Sequence, residues 1–275
     1  MMEFETMEII QHEPTIPVFH LYLNLPFTRN ALTLTLFTEL PTAISYLDSN
    51  PSVHTIILSA RGPHFCSGID ISALQTTISS TVVSDTAKSN ELLRRRILDM
   101  QAAITSIERC RKPVIAAVHG GCVGGGVDLV TACDLRFCSE DAWFEVKEID
   151  LGITADLGTL QRLPRIVGFG NSVEMAMTGR RIKGVEAKGM GLVTRVFDSK
   201  EDLDKGVYAI AKSIAEKSLL ALVGTKTVLQ KSKDLTVEQG LDYVATWNAG
   251  MLQSNDLKEA ITARLQKRKP TFAKL

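Results

Sequence analysis

The sequence predicts an α/β fold of stacked strand–helix units that ends in an all-helical region. Three observations predict it. Short β-branched and apolar runs alternate with amphipathic helical stretches over the first 200 residues, with no internal repeat. From Glu201 onward the strand signals vanish and helical spacing continues to the end. The 275 residues are 45% hydrophobic and 23% charged, a globular balance with enough apolar mass for a large core. The expected division is a core over residues 1–200 and a helical region over 201–275.

The elements follow in order. Val18 to Leu25 reads as a strand, with Leu21, Leu23 and Leu25 alternating against His20, Tyr22 and Asn24. Leu32 to Leu47 reads as a helix with Pro41 as an irregularity or a break. Val53 to Ser59 is a second strand, closed by Arg61-Gly62-Pro63-His64. Thr76 to Lys88 is rich in Ser and Thr and lacks periodicity, so it reads as a mobile loop over or beside a site. Leu93, Ile97, Met100, Ile104 and Ile107 mark a helix over Glu91 to Cys110. Val114 to Val118 reads as a buried strand, Gly126 to Ala132 as a short helix and Leu135 to Cys138 as a strand. Helices are expected over Leu203–Lys217, Leu219–Lys231, Val237–Met251 and Leu257–Lys267.

Lys+Arg and Asp+Glu both number 31, so the chain carries no net charge. That gives no electrostatic footprint for nucleic acid or an anionic membrane surface, and neither is expected as a partner. The five cysteines, Cys66, Cys110, Cys122, Cys133 and Cys138, form no CxxC pair and read as reduced thiols. The five histidines form no HxxxH pair, so no metal is expected. The final Ala273-Lys274-Leu275 is similar to the peroxisomal Ser-Lys-Leu terminus, which implies a peroxisomal import receptor as a partner. The N-terminus carries four glutamates in its first seventeen residues and no signal-peptide or Arg-rich presequence pattern, which favours that address.

The glycine run Gly120-Gly121-Cys122-Val123-Gly124-Gly125-Gly126 joins a strand to a helix. Val127-Asp128 stands where a P-loop needs Lys and Ser or Thr, and Leu129 stands where GxGxxG needs its third glycine. What remains is physical. Glycines let backbone N–H groups approach a ligand, and a helix start offers unpaired donors with partial positive charge. An oxyanion or a phosphate would suit such a turn, and so would plain strand–helix packing. His64 to Ile71 is a second loop with one flexible glycine. It reads as a donor loop or a surface turn.

Asp128, Glu148 and Asp156 lie among apolar or small residues, including Val127, Leu129, Ile149, Ile153 and Leu157. Carboxyls in apolar surroundings have raised pKa values, and neighbouring carboxyls push theirs apart, which creates an acid and a base. Each one singly also suits a surface charge or a helix cap, Asp156 before Leu157-Gly158-Thr159 in particular.

Three segments together carry a resemblance: His64-Phe65-Cys66-Ser67-Gly68-Ile69-Asp70, Cys122 to Leu129, and Lys147 to Pro164. They resemble the crotonase (enoyl-CoA hydratase/isomerase) superfamily. The set Asp128, Glu148 and Asp156 is similar to that of its Δ3,5-Δ2,4-dienoyl-CoA isomerases. The resemblance runs from about Val18 to Leu275. It implies a crotonase-like spiral of ββα units, a C-terminal trimerisation region and a homohexamer built as a dimer of trimers. It implies that Ser67, Gly68, Ile69, Asp70 and Ile71 line an acyl-CoA site, and that Ile69 and Gly125 supply the two N–H groups of a thioester oxyanion hole. Glu148 would take a proton from C2 of a 3,5-dienoyl-CoA, Asp156 would deliver one at C6 to give the 2,4-dienoyl-CoA, and Asp128 would orient or tune them in the same pocket. The place of such a reaction is unsaturated fatty acid β-oxidation. Coenzyme A would be part of the substrate, with no metal or redox cofactor needed. The nearest rival is an enoyl-CoA hydratase, whose pattern has glutamates at both the Asp128 and Glu148 positions. A non-catalytic acyl-CoA-binding protein on the same fold would need no acid/base set.

Overall fold

The computed structural model describes residues 3–273. The chain opens with β1 (Met7–Ile10), which the sequence reading passes over: four residues with a glutamate among them give little signal. It pairs antiparallel with β2 (Val18–Leu23), Met7 opposite Leu23. After a short 3-10 turn at Pro26–Thr28 come α1 (Leu34–Ser49), β3 (Thr55–Ala60), α2 (Ile71–Ser79) and α3 (Thr86–Arg109). Then follow β4 (Val114–Val118), β5 (Gly121–Val123), α4 (Gly125–Ala132), β6 (Leu135–Ser139) and β7 (Trp143–Glu145). A 3-10 turn at Glu148–Leu151 leads to α5 (Thr159–Val167), α6 (Phe169–Thr178), β8 (Ile182–Lys183), α7 (Gly184–Gly189) and β9 (Arg195–Phe197). Four helices finish the chain: α8 (Lys200–Ala215), α9 (Leu219–Ser232), α10 (Val237–Met251) and α11 (Asn255–Leu265).

The strands form two sheets. The larger has the order β1-β2-β3-β4-β6-β9 and is parallel from β2 onward; the smaller is β5-β7-β8. The α/β spiral is therefore as expected, and three local readings change. β2 is buried on both faces rather than half-solvated. Its polar side is covered by α8, whose Tyr208 stacks on His20 with ring centroids 6.0 Å apart. Pro41 lies inside α1, which runs on to Ser49. The Ser/Thr-rich stretch is mostly helix. α2 continues to Ser79 and α3 begins at Thr86, its first N–H groups bonded by Asp85. Hydroxyls that read as loop-formers instead bond carbonyls one turn back, Thr77 to Ala73 at 2.8 Å.

One core fills the space between the larger sheet and α1, α3 and α4. On the sheet's other face Leu203, Val207, Ala211 and Ala215 of α8 pack on Val18, Ile57, Ile115 and Phe137. α9 is tied back to the core by Lys226, whose Nζ donates to the carbonyl of Lys112 at 3.0 Å and pairs with Asp134 at 2.7 Å. All five cysteines are free and buried. Among the described residues no helix is long and apolar enough to cross a membrane, and no group of three His, Cys, Asp or Glu could hold a metal ion.

Candidate active site

Two loops from different strands are laced together before either reaches the cavity. The Phe65 N–H donates to the carbonyl of His119, that of Cys66 to Gly121, and that of Val123 to Cys66, at 2.9–3.0 Å. Cys66 and Cys122 thus form a parallel bridge that fixes both loops in one register. Beyond it, the Leu32 N–H donates to the Gly68 carbonyl and the Asp70 N–H to the Leu32 carbonyl. In an extended segment alternate groups face opposite ways, so the Ile69 N–H is turned away from Leu32. It has no acceptor among the described residues, and neither has the Gly125 N–H at the first position of α4.

Gly124 makes the turn before α4, with φ of 49° and ψ of −116°, a backbone conformation that favours glycine. A Cβ built there would lie 3.2 Å from Oε1 of Glu148, so the turn and the carboxylate are in contact. A Cβ on Gly125 would lie 3.9 Å from the Ile69 nitrogen and 2.4 Å from Cδ1 of Leu32. The first distance brings the two free donors together. The second shows that Leu32 already fills the space a larger residue would need.

Both donors line a cavity of about 550 Å³. Ser67, Gly68, Asp70 and Ile71 line it as well, and so do Glu148 and Asp156. Asp70 also caps α2 through a 3.0 Å bond from the Ala73 N–H and a bond from Ser72, and these bonds hold its carboxyl below the usual carboxylate range. The sequence reading missed the apolar wall: Leu74 and Ile78 of α2, and Leu93, Ile97 and Met100 of α3. The periodicity that reveals α3 does not reveal that part of its apolar stripe faces a cavity instead of the core.

Glu148 sits at the start of its 3-10 turn, with Oε2 buried and without a partner among the described residues. Burial, reinforced by the charges of Asp128 and Asp156, pushes its carboxyl up to about 7. Asp156 belongs to the loop before α5 and is not a cap; the residue at that place is Gly158. Its backbone carbonyl accepts a 2.6 Å hydrogen bond from Nε2 of Gln101 on α3, a positioning contact with no sequence signal. Burial raises the Asp156 carboxyl too, by less than at Glu148.

Asp128 differs from the expectation. It is fully buried in α4 and does not line the cavity. Oδ1 accepts from the Thr159 N–H at 2.6 Å and from the Thr159 hydroxyl at 2.8 Å, while Oδ2 has no partner among the described residues. Burial raises its carboxyl to about 6 against those two bonds. Its two bonds to Thr159 hold the side chain at the packing between α4 and α5. Lys274 and Leu275 of the terminal tripeptide lie outside the described residues; Ala273 is exposed.

Paired backbone donors in one cavity with two carboxyls suit proton transfer next to a carbonyl that becomes an oxyanion. The Enoyl-CoA hydratase/isomerase family model matches residues 15–274. The chain belongs to that family. A crystal structure of an enoyl-CoA hydratase from Bacillus anthracis superposes with a TM-score of 0.87 at 28% identity, over 98% of this chain and 99% of that one. The peroxisomal Δ3,5-Δ2,4-dienoyl-CoA isomerase of Arabidopsis thaliana is 59% identical over the whole of this chain and 99% of its own length. The human mitochondrial Δ3,5-Δ2,4-dienoyl-CoA isomerase is 43% identical over 94% of this chain and 80% of its own length. A probable enoyl-CoA hydratase of Bacillus subtilis is 33% identical over 88% of this chain and 90% of its own.

Proposed function

We propose that this member of the family is a peroxisomal isomerase that converts 3,5-dienoyl-CoA to 2,4-dienoyl-CoA in unsaturated fatty acid β-oxidation. The observation that carries the reading within the family is the placement of the carboxyls. Glu148 and Asp156 line the cavity, while Asp128 is withdrawn behind it. A hydratase working through the Asp128 and Glu148 positions needs both at the substrate. Two carboxyls spread along one apolar cavity instead suit a proton removed at one carbon and returned at a remote one. The full-length likeness to the Arabidopsis isomerase supports the same choice.

In this reading the thioester oxygen accepts the N–H groups of Ile69 and Gly125. Glu148 removes a proton from C2, and the electron pair moves into the thioester, giving an oxyanion that the two donors stabilise. Such a donor contributes roughly 10²–10³ in rate. Conjugation carries the charge to C6, where Asp156 delivers a proton and the double bonds shift. One proton leaves and one arrives, so no metal or redox cofactor is required.

The uncovered apolar residues of α9–α11 support assembly through this region, as a hexamer made of two trimers. Leu229, Val237, Leu241 and Leu265 are exposed there, and a groove of about 1010 Å³ opens among these helices. Ala273-Lys274-Leu275 supports recognition by the peroxisomal import receptor; a reporter carrying this chain should lose peroxisomal import when the three residues are deleted.

Incubation with 3,5-octadienoyl-CoA and, separately, 2-trans-octenoyl-CoA tests the activity. The isomerase extends conjugation and raises absorbance with the first. Loss of enoyl absorbance with the second alone would make the protein a hydratase. No change with either would make it a binding protein.

A further inference from the structure

Asp128 is the unusual member of the carboxyl set, because it acts from behind the cavity wall. Both hydrogen bonds its carboxyl receives come from one residue, Thr159 at the first position of α5, and both fall on the same oxygen. Thr159 is itself fully buried, so no water competes for the hydroxyl. A carboxylate that accepts two hydrogen bonds at a helix start is favoured in its ionised form. With Oδ1 fixed, Oδ2 is left without a partner among the described residues.

We infer that Thr159 is a positioning residue for the proton-transfer pair: it holds Asp128 in one orientation and in its charged form, so that a fixed negative charge stands behind Glu148. This rests on the isomerase reading above. The charge makes Glu148 a stronger base than it would be beside a neutral neighbour, because ionising Glu148 next to an existing negative charge is unfavourable. The groups facing Asp128 are few. Glu148 and Asp156 act on it from the cavity side and Arg162 from α5. Arg162 is itself held by Glu108 and Thr105 of α3, at 3.0 Å each. The Cys66 and Cys122 thiols are close as well, but burial keeps both protonated far above neutral pH. Thr159 is thus the neutral partner whose removal changes the state of Asp128 without adding or deleting a charge.

The test is the pH profile of kcat/KM with 3,5-octadienoyl-CoA, whose acid limb reports the free enzyme's base. Thr159→Val keeps the shape and the backbone N–H but removes the hydroxyl. Asp128 then takes up its proton at higher pH, the charge behind Glu148 fades, and the acid limb moves to lower pH by about one unit. Plateau turnover falls with it, because a weaker base removes the C2 proton more slowly. Thr159→Ser keeps a donor and keeps the wild-type limb. Asp128→Asn moves the limb in the same direction, and adding Thr159→Val to it moves the limb no further. An unmoved limb in Thr159→Val, with only a lower Tm, would overturn the inference and leave Thr159 a packing residue. So would a shifted limb in Thr159→Ser, or additive shifts in the double variant. If Thr159→Val does not fold, an unmoved limb in Asp128→Asn overturns it just as well. Failure of the isomerase reading itself shows separately, as no rise in absorbance when the wild type is incubated with 3,5-octadienoyl-CoA.

Discussion

Two helices of this chain stand at opposite ends of burial. All eight residues of α4 are buried, and none of the fifteen in α10 is. α4 is mostly apolar or small and its one carboxyl, Asp128, is bonded by Thr159, which fits a helix enclosed on every side. α10 leaves Val237 and Leu241 exposed at 81% and 63%, although a capping box between Thr236 and Gln239 starts it cleanly. The difference separates two kinds of determination. The position of α4 is fixed by this chain alone, and its N-terminus brings Gly125 to the cavity. α10 leaves apolar side chains uncovered in the single chain, and a second copy is the occupant proposed here.

The largest expected effect falls on the buried helix. Gly125→Ala drives Leu32 from its place and displaces an oxyanion donor, so turnover should fall by roughly 10²–10³. Because alanine keeps its N–H, Gly125→Ala with Leu32→Ala should regain most of that loss in steady-state assays. Failure to regain any of it would mean that the ligand itself needs the space beside Gly125, and that α4 is tuned to substrate rather than to its neighbour.

A smaller effect is expected on α10. Leu241→Lys should shift the protein to smaller species by light scattering, since burying an unpaired charge at an interface costs several kcal/mol. The folded subunits should retain C2 proton exchange, because every cavity-lining residue comes from residues 31–157. An unchanged mass would place the assembly surface elsewhere and weaken the contrast between the two helices.

The smallest effect is on stability. Glu148 has its carboxyl raised from 4.5 to about 7, mainly by burial. The folded protein therefore binds this proton more tightly than the unfolded chain, and the wild type loses stability as pH rises from about 4.5 to 7. Glu148→Gln has no such loss. It should be more stable than wild type at pH 8, by on the order of 1–3 kcal/mol, with the advantage shrinking at pH 5, as denaturant melts at the two pH values would show.

The helices were legible from residues and their spacing, and the site segments from the family resemblance. α10 falls on its expected boundaries, and the glycine turn, the Ser67–Ile71 segment, Glu148 and Asp156 all reach one cavity. The unread parts share a physical cause. Residues 139–200 hold β7, β8, β9 and three helices of ten residues or fewer, too short for periodicity to develop. The apolar wall from α2 and α3 has the same pattern whether it faces core or ligand. The resemblance implies that Asp128 shares the pocket, but a sequence match does not say on which side of the cavity wall a side chain lies. Gln101 acts through one hydrogen bond across 55 residues and Thr159 through two across 31, distances over which composition carries no signal.

The central claim is that Glu148 and Asp156 divide one proton transfer between C2 and C6. Exchange of the C2 proton with deuterated water, measured beside isomerisation in Glu148→Gln and Asp156→Asn, tests it most directly. Glu148→Gln should lose both by roughly 10²–10⁴, since no base remains at C2. Asp156→Asn should lose isomerisation by a similar factor and keep C2 exchange, because the dienolate still forms and is reprotonated where it was made. C2 exchange that survives in Glu148→Gln and disappears in Asp156→Asn would reverse the two roles, and near-normal turnover in both variants would contradict the carboxyl-pair mechanism itself.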